Sequence, residues 1–150
     1  NKLQYKFQKY LDRKYTNKNS EGYKFKENLK NRYKGGKSLG ETKLGGSDTS
    51  FTLDKGRLIS MCIRDKNLNF HDKELIEFVF WHELTHVLSN VRQHPPRFWD
   101  AFKWVLKNAE KAGLYRPIDY QIYPVNYCGK MEVNYNPFFD NTLKDIRINN

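Results

Sequence analysis

The sequence has little cysteine and no long apolar run. Its longest stretch without Asp, Glu, Lys or Arg is ten residues, from Tyr120 to Gly129. A membrane-spanning helix requires roughly 20 apolar residues, so we expect no membrane span in this chain. The two cysteines, Cys62 and Cys128, could form one bridge, but they lack the density of a secreted disulfide scaffold. With no Asn-x-Ser/Thr sequon either, the sequence favours an intracellular setting with free, buried thiols.

Acidic residues are scarce beside basic ones. The chain has 17 Asp and Glu against 27 Lys and Arg, a net charge of +10, and residues 1–34 alone hold 11 basic and three acidic residues. Aromatic residues are interleaved with this charge, which is typical of phosphate neutralisation combined with base stacking and predicts DNA as a partner of the segment. Solvated lysine-rich helices are the alternative. The aromatic residues are Tyr5, Phe7, Tyr10, Tyr15, Tyr23, Phe25 and Tyr33.

What the chain does have is enough apolar material for one core. Leu, Ile, Val and Phe together number 37 of 150 residues, which argues against global disorder. We divide the chain into a basic helical segment (1–34), a glycine-rich loop (35–48) and a main domain (49–150).

Periodicity predicts the elements of the chain. Residues 1–34 are expected to form two helices, with Ser20 as N-cap and Gly35 as stop of the second. A β-hairpin over 49–53 and 58–63 follows, with a turn at Asp54–Gly56. A helix over 73–89 is apolar nearly all round and is therefore expected to be buried, and Pro96 starts another helix that ends at Gly113. The remainder is expected to be irregular with short strands.

The buried helix carries His82-Glu83-Leu84-Thr85-His86, an H-E-x-x-H motif. At 100° per residue the two imidazoles fall within about 40° of each other and can bind one metal ion, while Glu83 lies beside that ion as a base. Zinc held in this way activates water for peptide hydrolysis. With four histidines and eight glutamates in the chain, chance would produce the motif in roughly 0.6% of such sequences. Two satisfied core histidines beside an ion-paired glutamate are the alternative.

Catalytic zinc usually has three protein ligands, so a third is expected. His94 follows the helix break and can fold back over the ion, which makes it our choice. Glu110 is the rival, although its neighbours are solvated residues, and His71 is expected at the surface. The spacing differs from that of the metzincins, because no glycine lies between His86 and His94.

The motif and the residues after it resemble a known family. His82–His86 followed by His94-Pro95-Pro96-Arg97-Phe98-Trp99 is similar to the H-E-L-x-H and H-x-x-x-F-W pattern of WLM-type zinc metalloproteases, relatives of the Spartan and SprT-like proteases. The variants encoded by large cytoplasmic DNA viruses are most similar, sharing elements like 115–120 and 124–129. Gln93 and Lys130 depart from the family pattern.

The resemblance implies an α+β fold of the minimal zincin type, with a small twisted sheet, an active-site helix and a supporting helix. It implies Zn²⁺ bound by His82, His86 and His94, Glu83 as catalytic base, and Phe98 or Trp99 packing the loop that carries His94. It also implies cleavage of DNA-associated proteins, in the cytoplasm or nucleus of a host cell or in a virion. A zinc-stabilised structural protein of a viral particle and a nucleic-acid-binding module with a vestigial site are the alternatives.

The sequence leaves three further functional roles undecided. A tyrosine hydroxyl often stabilises the oxyanion in zinc peptidases, so one of four downstream tyrosines is a candidate. Cys62 or Cys128 could cap the zinc as a thiolate, against the commoner buried thiol. The strand over 58–63 could present an open edge that pairs with an extended substrate. The four tyrosines are Tyr115, Tyr120, Tyr123 and Tyr127.

Overall fold

The computed structural model describes residues 2–33, 39–42, 50–53 and 58–146, and these combine helices with two small sheets. The α+β class predicted from the sequence is therefore confirmed. In chain order the elements are α1 (Lys2–Lys14), α2 (Glu21–Arg32), β1 (Leu39–Glu41), β2 (Ser50–Leu53), β3 (Leu58–Met61), α3 (Lys73–Ser89), α4 (Pro96–Lys111), β4 (Val125–Tyr127), β5 (Met131–Val133) and a 3-10 helix (Pro137–Phe139).

The helix ends follow from local chemistry. The Ser20 hydroxyl caps α2 by accepting a hydrogen bond from the Tyr23 backbone N–H at 3.1 Å. Asn90 ends α3 in the left-handed conformation with φ of 58°, which asparagine tolerates better than most residues. Pro96 occupies the first turn of α4, where its missing N–H is not needed. The predicted bounds of α3 and the start of α4 are confirmed.

Helix α3 is the centre of the core, as its all-round apolar sequence predicts. The Trp81 side chain is fully buried and meets the Phe7 ring of α1 with centroids 4.9 Å apart. On another side, the Phe78 ring contacts Phe102 of α4 at 5.2 Å and Tyr120 at 5.1 Å. Because partners surround α3, its three polar site residues need a cavity or partners of their own.

The N-terminal helices belong to the same core. The Tyr15 hydroxyl donates to Asn108 Oδ1 of α4 at 2.9 Å, and its ring packs against Trp104. The interpretation of the seven N-terminal aromatic residues as stacking groups is therefore wrong for four of them, because their rings are buried and inaccessible to bases. These four are Phe7, Tyr15, Phe25 and Tyr33. The domain boundaries stay a prediction.

The main sheet has the strand order β1-β3-β2, with β1 parallel and β2 antiparallel to β3. The β2–β3 hairpin is confirmed; its turn and Gly35 lie outside the described residues. Strand β1 lies within the stretch that we predicted to be a glycine-rich loop. The prediction that β3 offers an open edge is wrong, because β3 is hydrogen-bonded on both sides. Among the described residues, β1 and β2 are the edge strands of this sheet.

A second, two-stranded sheet pairs β4 with β5 and is tied to the first by a disulfide. Cys62, just after β3, is bonded to Cys128, just after β4. The prediction of free, buried thiols is therefore wrong, although both residues are buried as expected. No thiolate from this pair can cap a metal. The intracellular location stays a prediction, and a disulfide persists more readily in an oxidising compartment.

Among the described residues, none of the helices combines the length and the apolar character that crossing a bilayer demands.

Candidate metal centre

Three imidazoles converge where α3 turns into α4. His82 and His86 lie one helical turn apart on the same face of α3. The left-handed residue Asn90 reverses the chain, so that His94 returns over that face. The Nε2 atoms of His82 and His94 are 3.0 Å apart, and one ring nitrogen from each histidine lies within 4.8 Å of the other two. The structure thus brings together all three of the predicted ligands.

The donor set fits a metal ion. Burial lowers the pKa of all three imidazoles, so each is neutral near pH 7 and has a lone pair for a metal. His86 Nδ1 donates to the Val91 carbonyl oxygen at 2.5 Å, which leaves Nε2 free to bind. Zinc–nitrogen bonds of about 2.0–2.1 Å place tetrahedral nitrogens about 3.3 Å apart, close to the shortest separation observed here. The three histidines could hold a metal ion.

Phe98 supports all three imidazoles. Its fully buried ring stacks on His86 with centroids 4.3 Å apart and meets His82 at 5.0 Å and His94 at 4.9 Å. Trp99 contacts His94 from another side, at 5.7 Å. Because Phe98 is in the first turn of α4, its contacts hold the start of this helix and the His94 loop against α3.

Glu83 lies beside the imidazoles and is 4% exposed. Its Oε2 is 3.8 Å from His82 Nε2. Two hydroxyls of β2 donate to the carboxylate: Ser50 Oγ to Oε2 at 3.0 Å, and Thr52 Oγ1 to Oε1 at 2.9 Å. Burial raises the pKa of Glu83 to about 6, against the opposing effect of these hydrogen bonds. A carboxyl group with a pKa near neutrality can both accept and return a proton.

The site opens into a cleft of about 680 Å³. One wall, which we call the helical wall, is formed by α3, α4 and the loop between them. The opposite strand wall consists of β2 and the β4–β5 hairpin with the residues directly after it. The strand wall contributes Ser50, Thr52, Tyr127, Met131, Glu132, Val133, Asn134 and Tyr135. A cleft of this size is sufficient for several side chains of a peptide.

The rival ligands lie elsewhere. Glu110 is exposed near the far end of α4 and does not belong to the histidine cluster. His71 is half-buried rather than at the surface, because its Nε2 accepts a hydrogen bond from the Cys128 backbone N–H at 2.9 Å and its ring lies against Tyr127. That residue supports the strand wall.

Of the four candidate tyrosines, Tyr127 lines the cleft. Its hydroxyl donates to the Cys62 carbonyl oxygen at 2.6 Å, which favours a packing role. Tyr115 and Tyr120 are buried, whereas Tyr123 is exposed. Tyr135, which sequence reasoning missed, also lines the cleft, but its hydroxyl donates to Asp140 Oδ2 at 2.7 Å.

Sequence reasoning also missed Ser50 and Thr52. Their alternation in a predicted strand was the available signal, because residues i and i+2 share one face. Nothing in the sequence indicates that this face would lie against Glu83.

Comparison with known proteins yields relatives from viruses. An uncharacterized protein of Acanthamoeba polyphaga mimivirus is 36% identical over 118 residues, which are 78% of this chain and 59% of the relative. One of Invertebrate iridescent virus 6 is 36% identical over 93 residues, 60% of this chain and 51% of the relative. No family model and no solved structure matches. The matched part of the chain covers between half and three fifths of the length of these two relatives. Their viral origin supports the interpretation of this chain as a viral protein.

Proposed function

We propose that this chain is a zinc-dependent endopeptidase with a zincin-like fold, related to the WLM-type metalloproteases. The observation that carries the proposal is the buried Glu83 carboxylate beside three converging imidazoles in an open cleft. A structural metal site has no need of a base or of access for a substrate. Zinc bound by His82, His86 and His94 would supply Lewis acidity toward a peptide carbonyl and the attacking water.

The residues of this chain would perform the remaining steps. Glu83 would accept the proton of the attacking water and return it to the amine that leaves. The cleft between the two walls would hold an extended segment of the substrate, and β2 would take over the pairing role that the sequence assigned to β3. A folded substrate would have to present a loop or an unfolded segment to reach Glu83.

A role on DNA-associated proteins is a further part of the proposal. It rests on the charge of residues 1–34 and on the exposure of several lysines of α1 and α2. Burial of four aromatic residues removes base stacking as a contribution from them, so phosphate contacts would dominate. The exposed lysines include Lys2, Lys6, Lys9 and Lys24.

The test combines metal content with proteolysis. We expect purified protein to contain one zinc per chain, and His94→Ala to lose it. Glu110→Ala, the matched control, should retain it. Glu83→Gln should keep the metal and lose cleavage of an unfolded protein by about 100-fold or more, the usual contribution of a general base. Equal cleavage by Glu83→Gln would refute the peptidase and leave the structural zinc protein as the better interpretation.

A further inference from the structure

The two oxygens of the Glu83 carboxylate have separate partners on one strand. Ser50 Oγ donates to Oε2, and Thr52 Oγ1 donates to Oε1. Alternate residues of a strand share a face, so the Ser-x-Thr order directs both hydroxyls toward α3. The Thr52 hydroxyl also lies 3.4 Å from the Glu83 backbone oxygen, which keeps β2 close to this turn of the helix.

We propose that Ser50 and Thr52 are positioning residues that hold the Glu83 carboxylate beside the histidine cluster. The terminal torsion of a glutamate is broad and roughly two-fold, so one hydrogen bond would leave the carboxylate plane free to turn. Donors on both oxygens fix that plane. The consequence for catalysis rests on the proposed peptidase function, whereas the positioning itself does not.

The alternative position of the carboxylate would impair the site. Glu83 Oε2 is 3.8 Å from His82 Nε2, a short distance for a side chain with three rotatable bonds. Without the hydroxyls, a buried carboxylate lacks partners and moves toward the nearest donor or cation. In this site that would be one of the imidazoles or, when one is bound, the metal ion that they would hold. The two hydroxyls therefore keep Glu83 available as a base rather than a fourth ligand.

The variants separate the hydroxyl groups from the bulk of the side chains. Ser50→Ala and Thr52→Val, singly and together, delete the donors while nearly preserving volume. Thr52→Ser restores one donor. Ser60→Ala is the matched control. Ser60 is a buried serine in the neighbouring strand β3, and its hydroxyl is hydrogen-bonded to the hydroxyl of Thr42 at 2.7 Å rather than to Glu83.

The first measurement needs no activity. The protein is labelled with ¹³C at the side-chain carboxyl carbon (Cδ) of its glutamates. The Glu83 resonance is the one that is missing from the spectrum of Glu83→Gln. We expect this resonance to move in the double variant, and to remain near its wild-type position in Thr52→Ser and Ser60→Ala. An unmoved resonance in the double variant overturns the proposal.

The second measurement is kinetic. We expect the double variant to lose about 10- to 100-fold in kcat, by comparison with the loss of a whole general base, with KM and zinc content unchanged. Thr52→Ser should recover most of the loss relative to Thr52→Val. An equal loss in Ser60→Ala would overturn the positioning role. If Glu83→Gln cleaves as well as wild type, the peptidase function fails, and the carbon resonance alone decides whether the hydroxyls position the carboxylate.

Discussion

The two walls of the cleft are built in different ways. The helical wall takes its three imidazoles and Phe98 from one short stretch of sequence, and α-helix geometry with one chain reversal brings them together. The strand wall joins two distant segments, β2 and the β4–β5 hairpin, whose strands have three or four residues each. Its assembly depends on long-range links, namely the Cys62–Cys128 disulfide and the hydrogen bonds to Glu83.

This difference separates the candidate metal site from the wall that we propose for the substrate. Damage to the helical wall should reduce stability and metal affinity together, because the same buried rings maintain both. Damage to the strand wall should change the cleft and the environment of Glu83 while the imidazoles stay in place. Substitutions of Phe98 in the helical wall and of the disulfide at the strand wall test this distinction.

The largest effect is expected from Phe98→Ala. Loss of a fully buried phenyl ring should cost about 3–5 kcal/mol of the free energy of unfolding. The ring contacts all three imidazoles, so zinc affinity should fall as well. Phe138→Ala is the control, because Phe138 is only partly buried and contacts Tyr115 and Phe139 rather than the histidines. Denaturant unfolding and competition with a zinc chelator measure the two effects. Unchanged zinc affinity in Phe98→Ala would show that the arrangement of the imidazoles does not depend on the Phe98 ring.

The next effect is expected in the strand wall, from replacing both Cys62 and Cys128 by serine. Loss of the disulfide should cost about 2–4 kcal/mol, because the unfolded chain gains conformational freedom. The protein should still bind one zinc per chain, since neither cysteine contacts the histidine cluster. Chemical reduction of the wild type should reproduce the result. A parallel loss of zinc would mean that the two walls form one cooperative unit.

The sequence predicted the helical wall almost completely, because its information is local. Three features that define this wall lie within a short stretch of sequence. They are the His82–His86 spacing, the position of His94 and the break before Pro96. The all-round apolar pattern of α3 also predicted its central place. Residues close in sequence have few ways to be arranged once the helix is recognised.

Most features of the strand wall could not be predicted from the sequence. Strand β1 has three residues in a glycine-rich stretch and no alternation of apolar residues, so nothing distinguished it from a loop. The order β1-β3-β2 depends on a parallel pairing between β1 and β3. No local signal in the sequence indicates this pairing, so β3 resembles an edge strand in the sequence alone. The prediction of free thiols at Cys62 and Cys128 was wrong because two cysteines 66 residues apart give no local signal of pairing.

A smaller effect is expected at two glycines with positive φ. Gly129 follows the disulfide with φ of 68°, and a Cβ there would lie 3.0 Å from Lys66 Cβ. Gly113 has φ of 74°, and a Cβ would meet nothing within 4 Å. Gly113→Ala should cost about 1 kcal/mol from backbone strain alone. Gly129→Ala should lower the free energy of unfolding by more, about 1–2 kcal/mol in total, because the added Cβ is also crowded by Lys66. Equal thermal shifts would show that the strand wall yields to accommodate the methyl group.

The smallest effect on stability is expected on a surface that belongs to neither wall. Deleting residues 1–34 would remove Phe7 and Tyr15 from the core, so it cannot separate DNA binding from folding. Replacing the exposed Lys2, Lys6 and Lys24 by glutamate should change the free energy of unfolding by less than about 0.5 kcal/mol each. If these lysines neutralise phosphates, the slope of log affinity against log salt should flatten by about 0.9 for each phosphate that is no longer neutralised. An unchanged slope would return the lysines to the role of a solvated face, and the peptidase proposal would then stand without DNA.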